Sequence, residues 1–394
     1  MRSVAESGGF CTFHAARIEA VGQSATVALI YLSLIEYCQP RLAARRDHRS
    51  ALVPLFTGPH ACAACAHQWD VERRECFFLA LLIRTRGSHC YGAPALVCMR
   101  HLPLLLEYLG EDSIGDILAR HLGVAAALKP ETAADAAIRL ILGPAPHAPS
   151  PPAPLPDSDI ADIPDPVRRM RRRLRALPFC PICTEIADAR AEWLSWLASA
   201  SGNGGRILDV LPLCRDHVWH ARIAAGPVLA PALAAVVLGE AEQRLAFAAN
   251  AAAPRRGSRR LPGWIGNAVG AAPGRRAALA SLRQGRECPL CVRMREAGER
   301  ALRLLVALIE YDDGRRAFES GYGLCVRHAA QVMAMPEATA FGDIVAHTTH
   351  ARLALLRWEL EEQLRRGAWQ ARPTRRGVES AAWLRAGARF AGTP

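Results

Sequence analysis

The chain has 394 residues, of which 51% are apolar, 22% charged and 6% aromatic. This is the balance of a folded protein of several modest domains and excludes collagen, coiled-coil rods and wholesale disorder. Its formal charge of +12 comes almost wholly from arginine, since Lys129 is the only lysine, and it permits an anionic partner without demanding one.

Segment 1–50 carries no secretory h-region. It holds one Cys-x2-His pair, Cys11 and His14, with no Cys-x2-Cys before it, so the chain begins halfway through a repeat: the first unit is degenerate, or the true start lies upstream. Val27, Ile30, Leu34 and Tyr37 then fall at helical spacing until Pro40 closes the stripe. The longest largely apolar stretch, 25–35, is too short to span a bilayer.

Three complete copies of one unit follow. Cys62, Cys65, Cys98 and His101 lie in repeat 1 (51–143), Cys180, Cys183, Cys214 and His217 in repeat 2 (168–250), and Cys288, Cys291, Cys325 and His328 in repeat 3 (285–370). The intervals between the two halves of each copy, 66–97, 184–213 and 292–324, are nearly equal in length. A Cys3His set of this kind suits a closed tetrahedral zinc site, and the matched gaps favour pairing within each copy. The offset alternative joins each Cys-x2-His to the next Cys-x2-Cys across the unequal intervals 15–61, 102–179 and 218–287, recruits Cys11 and His14, and orphans Cys325 and His328. Pro181 and Pro289 follow the first cysteine of their pairs, where a fixed φ suits a turn entering a helix.

The breaks between copies are a nine-proline linker (144–167) and a Gly/Pro/Arg-rich linker (251–284); a tail (371–394) without regular pattern is expected to fray. Just before the second copy, arginines crowd together: Arg168, Arg169, Arg171, Arg172, Arg173 and Arg175. They are candidate phosphate contacts, although no aromatic residues are interleaved to stack bases. Leu233, Val237, Ala241 and Leu245, then Leu302, Leu305, Leu308 and Ile309, then Leu353, Leu356, Leu360 and Leu364 mark further helices, and strand patterning is not evident. Cys38, Cys76 and Cys90 lack spaced partners and read as small apolar residues, and His347 and His350 as a solvated helix face.

The expected fold is therefore all-α: tandem helical units, each pinned by a Cys3His site, with about three zinc ions per chain. An iron–sulfur cluster is the alternative cofactor for the same ligands. No catalytic motif is found, and an enzyme is not indicated. The expected role is an interaction or adaptor module for an unknown protein partner in the cytoplasm, with a redox or sensor protein and nucleic-acid binding as alternatives.

The segments Glu287–Cys291 and Ser320–His328 resemble the hallmark of an uncharacterised bacterial family, in which a Cys-Pro-Leu-Cys segment and a helix precede a Gly-Phe-Cys-x2-His segment. The resemblance is strong over the third copy and moderate over the second. It reaches the first copy only through Cys98 and His101. It implies a small helical metal-binding unit and no activity.

Overall fold

The computed structural model describes residues 4, 6–44, 53–57, 62–92, 96–145, 165–176, 178–199, 213–253, 273–283, 287–336, 341–367 and 377–392. Most of the proline-rich linker (146–164) and the centre of the second linker (254–272) lie outside the described residues. Every regular element among the described residues is helical. In chain order these are α1 (Thr12–Val21), α2 (Ser24–Ala43), α3 (Val53–Thr57), α4 (Ala63–Arg86), α5 (Leu102–Tyr108), α6 (Glu111–Ala127), α7 (Pro130–Leu142) and α8 (Pro166–Ala176). There follow α9 (Pro181–Ser199), α10 (Arg215–Ala252), α11 (Pro273–Arg283), α12 (Pro289–Ile309), α13 (Asp312–Ser320), α14 (Val326–Ala334), α15 (Gly342–Gly367) and α16 (Ala382–Ala391).

The chain forms two compact units rather than a series. Unit 1 comprises Met1–Gln68, Ala148–Arg190 and Met294–Pro394; unit 2 comprises Trp69–His147 and Ala191–Arg293. The boundaries fall inside α4, α9 and α12. The two halves of every sequence copy thus belong to different units.

In unit 1, α2 packs on α15 and both receive α16. The predicted stripes supply this core: Val27, Leu34, Leu353, Leu356 and Leu360 are buried, joined by Tyr31, Val326, Ala386 and Phe390. Pro40 does not end α2 but sits in its last turn, where the Arg41 guanidinium donates to the Tyr37 carbonyl at 2.6 Å. A second core gathers Leu302, Leu305, Leu308 and Ile309 of α12 with Met170, Leu174, Phe318 and Val332. In unit 2, α10 is the central element, packed by α6, α7 and α11, and Leu233, Val237, Ala241 and Leu245 are its buried stripe. Gly226, at φ 62°, kinks it.

Two expectations about the breaks are corrected. Residues 273–283, counted as linker, form α11, where Ala278 and Leu282 are buried and Arg275 donates to the carbonyls of Leu106 and Glu107. The tail is ordered over 377–392: α16 buries Ala382, Ala386 and Phe390, and the Phe390 ring stacks on Tyr31 with centroids 5.9 Å apart. Apart from Phe390 and Arg389 its buried face is alanine and glycine, which lets helices approach closely while leaving little hydropathy signal in the sequence.

Candidate metal centres

Six of the seven ligand pairs begin at a helix start. Cys11, Cys214 and Cys325 are the residues immediately before α1, α10 and α14, in extended conformation (φ −65° to −70°). Their carbonyls accept the N–H groups of Ala15, Val218 and Ala329, each at 2.9 Å. Cys62, Cys180 and Cys288 do the same before α4, α9 and α12, accepting from Ala66, Thr184 and Val292 at 3.0–3.1 Å. This is the geometry of a helix cap. The side chain at the cap and the one three residues on lean over the unpaired N–H groups of the first turn, and the Cys65 N–H indeed points to Cys62 Sγ at 3.4 Å. Pro181 and Pro289 occupy the first helical position, as their fixed φ predicts.

Six of these pairs converge in three groups of four, with all ligand atoms of a group within 4.8 Å of one another. The first is Cys11, His14, Cys62 and Cys65; the second is Cys180, Cys183, Cys325 and His328; the third is Cys214, His217, Cys288 and Cys291. The first two lie in unit 1 and the third in unit 2. Pairing within a copy is therefore incorrect. Groups one and three follow the offset alternative, whereas group two joins ligands 142 and 145 residues apart, a combination neither reading contained.

The physical reason lies in the helices after the cysteines. A 24-residue helix such as α4 carries the chain about 36 Å from its starting pair. The regular gaps thus measure the helices that separate consecutive ligand pairs, not the closure of a site.

The geometry is the same in each group. His14 Nδ1 lies 3.3–3.5 Å from the sulfurs of Cys11, Cys62 and Cys65. His328 Nδ1 lies 3.2–3.4 Å from those of Cys180, Cys183 and Cys325. His217 Nδ1 lies 3.3 Å from those of Cys214, Cys288 and Cys291. One sulfur–sulfur separation in each group is 3.7–3.8 Å. All four ligands of the second group are buried, while the first leaves Cys65 exposed. Gly392, beyond the end of α16 at φ 82° and ψ 172°, backs onto the second group so closely that a Cβ there would stand 2.8 Å from Cys183 Sγ.

Three thiols this close cannot all ionise without a countercharge. A hydrogen bond from Cys11 pulls Cys62 down to about 4 despite burial, and the same bond with burial pushes Cys11 up. A hydrogen bond from Cys214 takes Cys288 down to about 3, again against burial, while burial and the Cys288 charge push Cys291 up to about 11. In the second group burial opposes ionisation of Cys325, but hydrogen bonds from Cys180 and Cys183 overcome it and lower the thiol well below its ordinary range. His328 is likewise opposed by burial, yet the charges of Cys325 and Cys180 raise it to about 10. In each group one thiol is thus pulled down while a neighbour, Cys11, Cys183 or Cys214, is pushed up and holds its proton more tightly. A divalent cation at the centre would displace those protons, and the N-termini of two helices in each group add positive potential for the thiolates.

Cys98 and His101 belong to none of the three groups. Cys98 Sγ lies 3.3 Å from His101 Nδ1, and no Cys-x2-Cys pair meets them among the described residues. Cys38 and Cys76 are buried as expected, Cys90 is half-buried, and His347 is exposed, with neither it nor His350 in a ligand group.

The arginine run forms α8 and is not a uniform basic face. Arg173 is 2% exposed and paired with Glu185 and Asp188, Arg169 is also held by Glu185, and Arg171 pairs with Asp313. Arg168, Arg172 and Arg175 are the exposed members. Only half of the six candidate contacts point to solvent, because α8 must bury Met170, Arg173 and Leu174 to pack on α13.

No described helix is long and apolar enough to cross a membrane. No family model, curated protein or solved structure matches the chain; what the residues themselves establish is an all-helical protein whose three Cys3His groups fit it to bind metal ions.

Proposed function

We propose that the protein is a zinc-dependent helical scaffold, holding one structural Zn²⁺ in each of the three Cys3His groups and acting as an interaction module in a reducing cytoplasm. The observation that carries the metal assignment is the size of the ligand tetrahedra. Zn–S bonds of ~2.3 Å and Zn–N bonds of ~2.0–2.1 Å make tetrahedral edges of ~3.8 Å between sulfurs and ~3.5 Å from sulfur to nitrogen. One sulfur–sulfur edge in each group is 3.7–3.8 Å, and the sulfur–nitrogen edges are 3.2–3.5 Å. An iron–sulfur cluster spreads its four ligands over two or four irons and needs them further apart. Four protein ligands leave no open position for a substrate, which favours a structural over a catalytic ion.

The adaptor reading draws on α4, where Trp69, Phe77, Phe78, Leu81 and Leu82 are exposed on one helix of unit 2. Apolar exposure of this extent favours a protein partner over a nucleic acid. Membership of the uncharacterised bacterial metal-binding family belongs to the same proposal, resting on the residues around Cys288 and Cys325.

The test is quantification of zinc, iron and acid-labile sulfide in protein purified anaerobically from unsupplemented cells. Close to three zinc per chain without colour supports the proposal. Iron with matching sulfide refutes it in favour of a redox or sensor protein.

A further inference from the structure

The three Cys3His groups share one donor set and one size, yet solvent reaches them to different depths. In the second, Cys180, Cys183, Cys325 and His328 are all buried. In the third, His217 and Cys288 are buried while Cys214 and Cys291 are half-buried. In the first, Cys62 is buried, Cys11 and His14 are half-buried, and Cys65, in the first turn of α4, is exposed. Cys65 is the only exposed cysteine among the thirteen of the chain. Its sulfur lies 3.8 Å from that of Cys11, 54 residues away at the start of α1. The Cys62 sulfur, in contrast, is shielded and accepts the Cys65 N–H at 3.4 Å. A reagent arriving from solvent therefore meets one sulfur first, and that sulfur has a second, half-buried one beside it.

From this difference we propose that Cys65 and Cys11 are a redox-active pair, which hydroperoxides convert to a disulfide with loss of the first group's ion while the other two groups keep theirs. This rests on the zinc reading above and adds a regulation to one of its sites. The Cys65 sulfur, as a thiolate ligand, attacks one oxygen of the peroxide: the S–O bond forms, the O–O bond breaks, and hydroxide leaves with the electron pair. The Cys11 thiolate then attacks the sulfenic sulfur, the S–S bond forms, and a second hydroxide leaves. The two sulfurs are each oxidised by one electron and the two peroxide oxygens each reduced by one. Only Cys62 and His14 then remain as ligands, too few for a closed site. The starts of α1 and α4 stay joined, by the disulfide in place of the ion. Elsewhere the sulfurs are covered, and a buried sulfur reacts only when the structure opens around it. An opening that costs ~1.4 kcal/mol already slows the reaction tenfold.

The test is treatment of the anaerobically purified, metal-loaded chain with hydrogen peroxide. Released metal is read with a chromogenic chelator, and disulfides are mapped by non-reducing peptide mass spectrometry. One ion is expected to leave about tenfold faster than the other two, at one peroxide per ion, with Cys11–Cys65 as the first disulfide. Dithiothreitol with added zinc should restore the full count. Cys65→Ser should be isolated with two ions, both leaving at the slow rate; a persisting fast phase would count against the pair. Loss of all three ions together would overturn the proposal, as would a first disulfide between Cys62 and Cys65 or within either of the other groups. The disulfide map of the unmutated chain decides this even if Cys65→Ser does not fold. The metal count before peroxide keeps the two readings apart. Three zinc ions released indiscriminately refute the redox pair alone, whereas iron with acid-labile sulfide refutes the zinc assignment and the pair with it.

Discussion

If Cys180 and Cys325 are ligands of one ion, losing both costs the chain no more metal than losing either. Cys180→Ser and Cys325→Ser should each lower the metal content from about three to two per chain, and the double variant should also hold two. Cys180→Ser combined with Cys214→Ser should hold one, since those residues lie in different groups. Pairing within a copy reverses both outcomes. The stability effect is also large. Closing a loop across the 142 residues between Cys183 and Cys325 removes chain entropy worth about 5 kcal/mol by the relation used for covalent cross-links, against about 4 kcal/mol for the 54 residues between Cys11 and Cys65. Metal analysis of the purified variants, with thermal melting of each, is the assay. One metal in the Cys180→Ser/Cys325→Ser variant would refute the assignment of groups.

Other expectations follow from single contacts. Gly392→Ala forces a Cβ to 2.8 Å from Cys183 Sγ and into a backbone region that glycine alone adopts readily; it should cost about 2–4 kcal/mol and shift the visible bands of the cobalt-substituted protein. Unchanged bands and melting would refute the close approach. Arg173→Met strands the Asp188 carboxylate and leaves Glu185 to Arg169 alone, and should destabilise unit 1 by about 2–3 kcal/mol in urea titration. His121 is fully buried against the Tyr91 hydroxyl at 2.6 Å, and burial lowers it to about 4. Its folded state resists protonation, so stability of unit 2 should fall as pH drops from about 6.5 to 4, by up to about 3 kcal/mol. His121→Gln should flatten that part of the acid limb; an identical slope would refute the buried neutral imidazole.

The ligands were legible in the sequence because Cys-x2-Cys and Cys-x2-His are local patterns at helix starts, and local geometry decides which two side chains lean together. Their grouping was not. Which pair meets which is settled by long-range packing, and the even spacing that suggested three closed repeats reflects helices of similar length. The stripes from Val27 to Leu34 and from Leu302 to Ile309 were readable because leucine and isoleucine carry the signal. Helix α16 was not, since a single aromatic, Phe390, is surrounded there by Ala382, Ala386, Gly387 and Ala391, which pack closely but carry little hydropathy signal. Arg173 shows the converse: a charge run reads as solvated until two acids from α9 meet one of its members.

The reach of the second metal group also has a consequence in time. Cys180 and Cys183 leave the ribosome long before His328, which lies 145 residues beyond Cys183. At roughly 5–20 residues per second that is an interval of about 7–30 s. Residues 191–293, with the third group's four ligands, are made within it. For that interval two thiols that will end fully buried have no native partners. As a zinc scaffold, a growing chain of this design would depend on surroundings that keep thiols reduced and supply metal sparingly, so that the first ion to arrive does not bridge the wrong pairs.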